Sequence, residues 1–200
     1  MSQNNNNKLK NIISNPFVFI GIIALIASLV LSLTSETFKE RVKANKNLDK
    51  MKNVLMCRYL ENIHEIEDNL SNSEWVLNEF NTIIETKLFD LDQLTLLDDS
   101  QFNFSNLEWK ENKSEGSLYY YFKDNTSKKY LPIFYVKDQT GYLGYVISIS
   151  GKGLWSTLKG FLYIDKDLET VKGISIYSHG ETPGLGGEID KNYVKERYLD

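Results

Sequence analysis

Three hydrophobic patterns follow one another along this chain, and each predicts a different kind of element. Between Lys10 and Glu36 no residue is charged, and the centre of that stretch reads FVFIGIIALIASLVLSL. As a helix, at about 1.5 Å per residue, that run spans roughly 25 Å. Polar flanks such as Asn15 and Ser35 extend it toward the ~30 Å hydrocarbon thickness of a bilayer. A helix buried in a soluble domain would show a polar stripe, whereas only Ser28 and Ser32 interrupt this one. The run exceeds a signal-peptide core and lacks a convincing small-residue exit. The pattern predicts an uncleaved single-pass transmembrane helix over 16–34, after a polar tail, 1–15, that needs no fold.

The second pattern has apolar residues at Phe38, Val42, Met51, Val54, Leu55, Tyr59 and Leu60. Several of the gaps are three or four, which predicts a helical stalk over 35–60 continuing out of the membrane. Residues 61–117 form an acidic, Asn-rich region read as a structural insertion, with a short helix over 74–87. Its run LDQLTLLDD lacks the alternating oxygen ligands and turn glycine of a calcium loop. His64, beside Glu61, Glu65 and Glu67, reads as a solvated histidine.

From Leu118 the third pattern begins. LYYYF, PIFYV, GYLGYVISI, GFLYI and VKGISIYS are short runs rich in aromatic and β-branched residues, separated by turn signals such as Asp138-Gln139-Thr140-Gly141 and Asp165-Lys166-Asp167. Closely spaced strands without long intervening helices predict an antiparallel sheet or curved meander, and an α+β fold for the whole. A helix is expected over 193–199.

Two glycine-containing segments interrupt the strands. SGKGLWS, at 150–156, contains Gly151-Lys152, but Gly153 follows the lysine where a phosphate-binding P-loop needs Ser or Thr. It reads as a bend that lets Trp155 pack onto the sheet. HGETPGLGGEID, at 179–190, is more tightly specified. Pro183-Gly184 is a turn pair in which proline fixes φ and glycine permits φ > 0. Gly186-Gly187 permits close backbone approach. Glu181, Glu188 and Asp190 surround the loop and no Arg or Lys lies within it, so a neutral planar hydrogen-bonding ring suits it better than phosphate.

Composition narrows the function. The net charge is −4 and no basic face is evident, which sets nucleic acid aside as a partner. The single cysteine, Cys57, forms no intrachain disulfide and excludes cysteine-ligated zinc or iron–sulfur chemistry within the chain. His64 and His179 lie far apart, without a metal-ligand pattern. Lys8 and Lys10 precede the apolar run, while Lys39, Arg41, Lys43 and Lys46 follow it. That balance alone leans toward a cytoplasmic C-terminal part.

The segment LPIFYVKDQTGYLGYVISISGKGLWSTLKGFLYIDKDLETVKGISIYSHGETPGLGGEID resembles the C subunit of the bacterial sodium-pumping NADH:quinone oxidoreductase, a family related to the G subunit of the Rnf electron-transfer complex. Residues 151–156 and 179–188 carry the resemblance, and GLWS favours the C subunit over the Rnf relative. The resemblance implies an FMN-binding domain, here 118–200, on the outer side of the bacterial inner membrane, against the charge count. It implies assembly with the other subunits of the complex and electron relay between NADH and quinone coupled to sodium export. On that pattern Glu181, Thr182, Gly184 and Leu185 line the flavin ring, with Leu154 and Trp155 as apolar neighbours. The family joins FMN through its phosphate to a threonine of a Ser/Thr-Gly-Ala-Thr motif, and no such motif occurs in these residues. The expectation is therefore a domain incomplete at its C-terminus, the acceptor threonine lying beyond it. An Rnf-type carrier and a flavinless anchor or assembly module are the alternatives.

Overall fold

The computed structural model describes residues 15–97, 107–111, 118–122 and 125–198. The chain divides into two compact units, Met1–Lys46 and Asn47–Asp200. Helix α1, Pro16–Arg58, starts where the sequence places it. The Asn15 side chain accepts the Phe17 N–H at 3.1 Å, and Pro16 occupies the first helical position, where a missing N–H costs nothing. In the apolar part, the Ser28 and Thr34 hydroxyls donate to carbonyls three or four residues back. Those polar atoms are thereby satisfied without water, as a hydrocarbon environment requires. This is the one described helix long and apolar enough to cross a membrane, and none of its most apolar window is buried.

In the second unit, the last turns of α1 are core. Val54, Leu55 and Cys57 are buried, so the end of the expected stalk is an integral packing element. A 3₁₀ turn, Leu60–Asn62, leads to α2, Ile63–Leu70, and α3, Ser73–Ile83. Asn72 caps α3 by accepting the N–H groups of Glu74 and Trp75 at 2.9 and 3.3 Å. The helix expected over 74–87 stops at Ile83. Residues 84–90 are strand β1, Ile84–Asp90, because Thr82-Ile83-Ile84 and Thr86 form a β-branched run that favours extended backbone.

The insertion expected over 61–117 thus supplies two core helices and three strands of the sheet. β1 pairs with β5, Asn125–Asp138, along its whole length, from Ile84↔Val136 to Asp90↔Tyr130. The compact unit accordingly starts at Asn47 and not at 118. The further strands are β2 Thr95–Leu97, β3 Leu107–Glu111, β4 Leu118–Phe122, β6 Gly141–Lys152, β7 Thr157–Asp165 and β8 Val171–Ser178. All described pairings are antiparallel, in the order β2-β1-β5-β6-β7-β8, with β4 joining β5 to β3. The five strands expected from Leu118 onward are all present.

Helices cover one face of the sheet. Val76 and Phe80 of α3 join Phe134, Val136, Val146, Phe161 and Tyr163 of the strands in a single core. The Phe80, Phe134 and Phe161 rings meet edge to face at 6.0 and 5.7 Å between successive centroids. Gly173 of β8 lets the end of α1 reach the sheet, since a Cβ there would lie 2.0 Å from the Cys57 carbonyl oxygen. The core fixes the ends of β6, β7 and β8, and these carry both glycine segments.

Candidate functional site

β6 and β7 pair to their last residues, Lys152↔Thr157, and the Gly153 N–H donates to the Ser156 carbonyl at 2.8 Å. Leu154 and Trp155 therefore stand at the hairpin tip, beyond the last sheet pair and without a strand neighbour. They are 81% and 70% exposed. This corrects the expectation that Trp155 packs onto the sheet.

The second segment leaves β8 and folds across the same end of the sheet. Thr182-Pro183-Gly184-Leu185 makes a turn closed by the Leu185 N–H on the Thr182 carbonyl at 3.1 Å, with Gly184 at φ +76°. The sequence expectation for Pro-Gly holds here, since L-residues rarely adopt that φ. A 3₁₀ segment, Gly186–Asp190, follows. Gly187 is buried against this same loop: a Cβ would meet the Thr182 and Glu181 carbonyl oxygens at 3.0 and 3.2 Å. The close approach permitted by Gly186-Gly187 is thus used within the loop.

The acidic groups brace the loop from inside. Glu188 accepts the Gly184 N–H at 3.2 Å with one oxygen and the Tyr193 hydroxyl at 3.0 Å with the other. His179 Nδ1 accepts the Glu181 N–H at 3.3 Å, while its Nε2 lies 3.7 Å from Asp190. Glu181 reaches further. Its Oε1 accepts the Trp155 and Ser156 N–H groups at 3.1 and 3.2 Å, which ties the loop to the hairpin tip. The helix expected over 193–199 is a single turn, α4 Asn192–Lys195, and a 3₁₀ turn, Glu196–Tyr198. Burial takes the Lys195 ammonium out of water and lowers its pKa, while its Nζ donates to the Met56 sulfur at 3.1 Å. His64 meets Glu196 at 3.1 Å in place of its acidic neighbours in sequence.

The structure gathers Leu154, Trp155, Glu181, Thr182, Gly184 and Leu185 onto two adjoining loops. Leu185 is 74% exposed, so three large apolar side chains stand out from one braced rim. An open, apolar lip with no cation between 179 and 190 fits a planar ring and does not fit its phosphate. Sequence reasoning missed Ser156 and Gly153. Ser156 Oγ accepts the Gly180 N–H at 2.5 Å, and a Cβ on Gly153 would strike Glu181 Oε1 at 2.4 Å. A cavity of about 250 Å³ lies at the opposite end of β6 and β7. Its lining of Arg58, Glu61, Asp165, Lys166 and Lys172 suits ion pairing better than a flat apolar ring.

Both loops fall within a segment that a flavin-binding domain family matches. That segment is residues 153–199, and the family is described as FMN-binding domain. The chain belongs to the family of the C subunit of the Na⁺-translocating NADH-quinone reductase. It is 30% identical over 188 residues to the Haemophilus ducreyi member, covering 90% of this chain and 68% of the relative. It is 29% identical over 192 residues to the Yersinia pestis member, covering 94% and 70%. The crystal structure of the Parabacteroides distasonis member shares the fold, with a TM-score of 0.55 at 23% identity over 80% of this chain and 68% of that one. Shewanella oneidensis NqrC does likewise, with a TM-score of 0.51 at 24% identity over 74% and 69%.

Proposed function

We propose that this chain is the FMN-carrying, single-pass membrane subunit that relays electrons within a Na⁺-translocating NADH-quinone reductase. The observation that carries the reading is the braced rim of Leu154, Trp155 and Leu185, which lies inside the segment matched as an FMN-binding domain. Bound FMN supplies the capacity to accept and pass on electrons, and the protein orients the ring and shapes its surroundings. Leu154, Trp155 and Leu185 shield the ring from water. The exposed Thr182 offers a hydroxyl donor and acceptor to its polar edge. Gly184, at the crest of the turn, lets backbone and ring approach without a side chain between them. Glu181 holds the hairpin tip against the loop, so that both sides of the rim keep one spacing.

The finer elements rest on the family and on the anchor. The apolar part of α1 inserts in the bacterial inner membrane, the domain faces the outer side, and the neighbours are the other subunits of the complex. Covalent attachment through phosphate to a threonine is carried by the resemblance alone, since no threonine of these residues stands in that motif. The test is a denaturing gel of native membranes viewed for flavin fluorescence, with intact mass measured on the band. Covalent attachment is expected to give a fluorescent band heavier than 23.1 kDa. A dark band at that mass would remove covalent flavin from the account.

A further inference from the structure

We propose that Ser156 and Glu181 form a two-way latch that holds the hairpin tip and the glycine loop as one rigid mouth. Ser156 is then a positioning residue of the flavin site, an inference that rests on the functional reading above. The hydrogen bonds cross in both directions. The hairpin gives an acceptor, Ser156 Oγ, to the Gly180 N–H of the loop at 2.5 Å. The loop gives an acceptor, Glu181 Oε1, to the Trp155 and Ser156 N–H groups of the hairpin. The glycines on either side match this closeness. A Cβ on Gly153 would lie 2.4 Å from Glu181 Oε1, and one on Gly180 would lie 3.1 Å from both Cβ and Oγ of Ser156.

The tip needs such a latch because little else fixes it. Leu154 and Trp155 stand clear of the core, and the one backbone bond closing the tip is Gly153 N–H to the Ser156 carbonyl. A side chain that finds no packing partner is held only through its backbone, and here the peptide N–H of Trp155 is itself one of the latched groups. The latch requires an acceptor oxygen at position 181 more than a charge, although a charged acceptor makes the stronger bond. Glu181→Gln therefore keeps much of the latch, and Glu181→Ala removes two of its three hydrogen bonds.

The experiment uses the full chain in detergent, with residue-resolved amide hydrogen exchange and a parallel titration with free FMN. Glu181→Ala is expected to speed exchange at the Trp155 and Ser156 amides about tenfold, as loss of a charge-assisted hydrogen bond implies. Glu181→Gln is expected to stay within about threefold of the parent, since the amide oxygen still accepts. Ser156→Ala is expected to speed the Gly180 amide about tenfold and to raise the FMN dissociation constant about tenfold, the factor that one lost hydrogen bond of ordinary strength allows. Parent exchange rates in both alanine variants would overturn the latch. Faster exchange with unchanged FMN affinity in Ser156→Ala would overturn its positioning role. If the parent chain binds no FMN, the flavin reading and that positioning role fail together, whereas exchange alone decides whether the latch exists.

Discussion

Leu168 sits at φ +62° in the turn between β7 and β8, 68% exposed, with its side chain contributing little to packing. An L-residue in that region costs roughly 1 kcal/mol, which asparagine tolerates better. Leu168→Asn is expected to stabilise the fold by about 0.5–1 kcal/mol, seen as a melting temperature raised by a few degrees. In the same turn, the Asp167 carboxylate is held down to a pKa of about 2, first by the Thr170 hydroxyl and then by the Thr170 and Glu169 N–H groups. A depressed carboxylate pKa stabilises the fold fully above the unfolded value, about 3.9, and loses that contribution as pH falls through the folded value. Protection of the Glu169 and Thr170 amides should therefore fall between about pH 4 and pH 2, and Asp167→Asn should flatten that dependence. At this scale the sequence was legible where the cause was local. Pro183-Gly184 announced the positive φ, because both residues of the pair carry the constraint. Glu181 did not announce its role, because its partners Trp155 and Ser156 lie 26 and 25 residues away. Trp155 misled, because a large aromatic ring favours burial and only the pairing of Lys152 with Thr157 puts it past the sheet.

Elements were legible where one hydrophobic period ran uninterrupted. The start of α1 follows from Asn15 and Pro16, and the strands from β4 to β8 follow from aromatic and β-branched runs between turn signals. The segment 73–90 was harder, because a capped helix passes into a strand with no intervening loop. Its β-branched residues at 82–84 and 86 were the available signal, and an acidic, Asn-rich neighbourhood obscured it. That the strand is part of the sheet follows only from its pairing with β5, a long-range contact that composition does not encode. The packing of α1 on β8 makes a sharper claim. Gly173→Ala would place a methyl group 2.0 Å from the Cys57 carbonyl oxygen, so helix and strand must separate. The expected cost is about 3 kcal/mol, at the upper end for overpacking. A thermal melt of the full chain in detergent should show a fall of roughly 6–12 °C. A melt within 2 °C or so of the parent would mean that α1 does not bear on β8 there.

At the scale of the whole molecule, the two units are described by different physics. The first is a helix whose apolar surface is exposed and whose Ser28 and Thr34 hydroxyls bond internally, as hydrocarbon demands. The second is a sheet covered on one face by helices, with its two glycine-containing loops at one end. The sequence resemblance reached the flavin through two motifs, and the structure adds that they are hydrogen-bonded to each other. The central claim is that this joined rim holds an isoalloxazine ring and makes no grip on phosphate. Titration of the full chain with FMN and with riboflavin, followed by flavin fluorescence, tests it most directly. Lacking a cation between 179 and 190, the rim should bind the two with dissociation constants within about threefold of each other, since a charge-assisted phosphate contact would add more. Trp155→Ala and Leu185→Ala should each weaken both about tenfold, in line with the loss of a buried apolar contact. Binding of neither flavin, FMN bound far more tightly than riboflavin, or variants that bind like the parent would contradict the account.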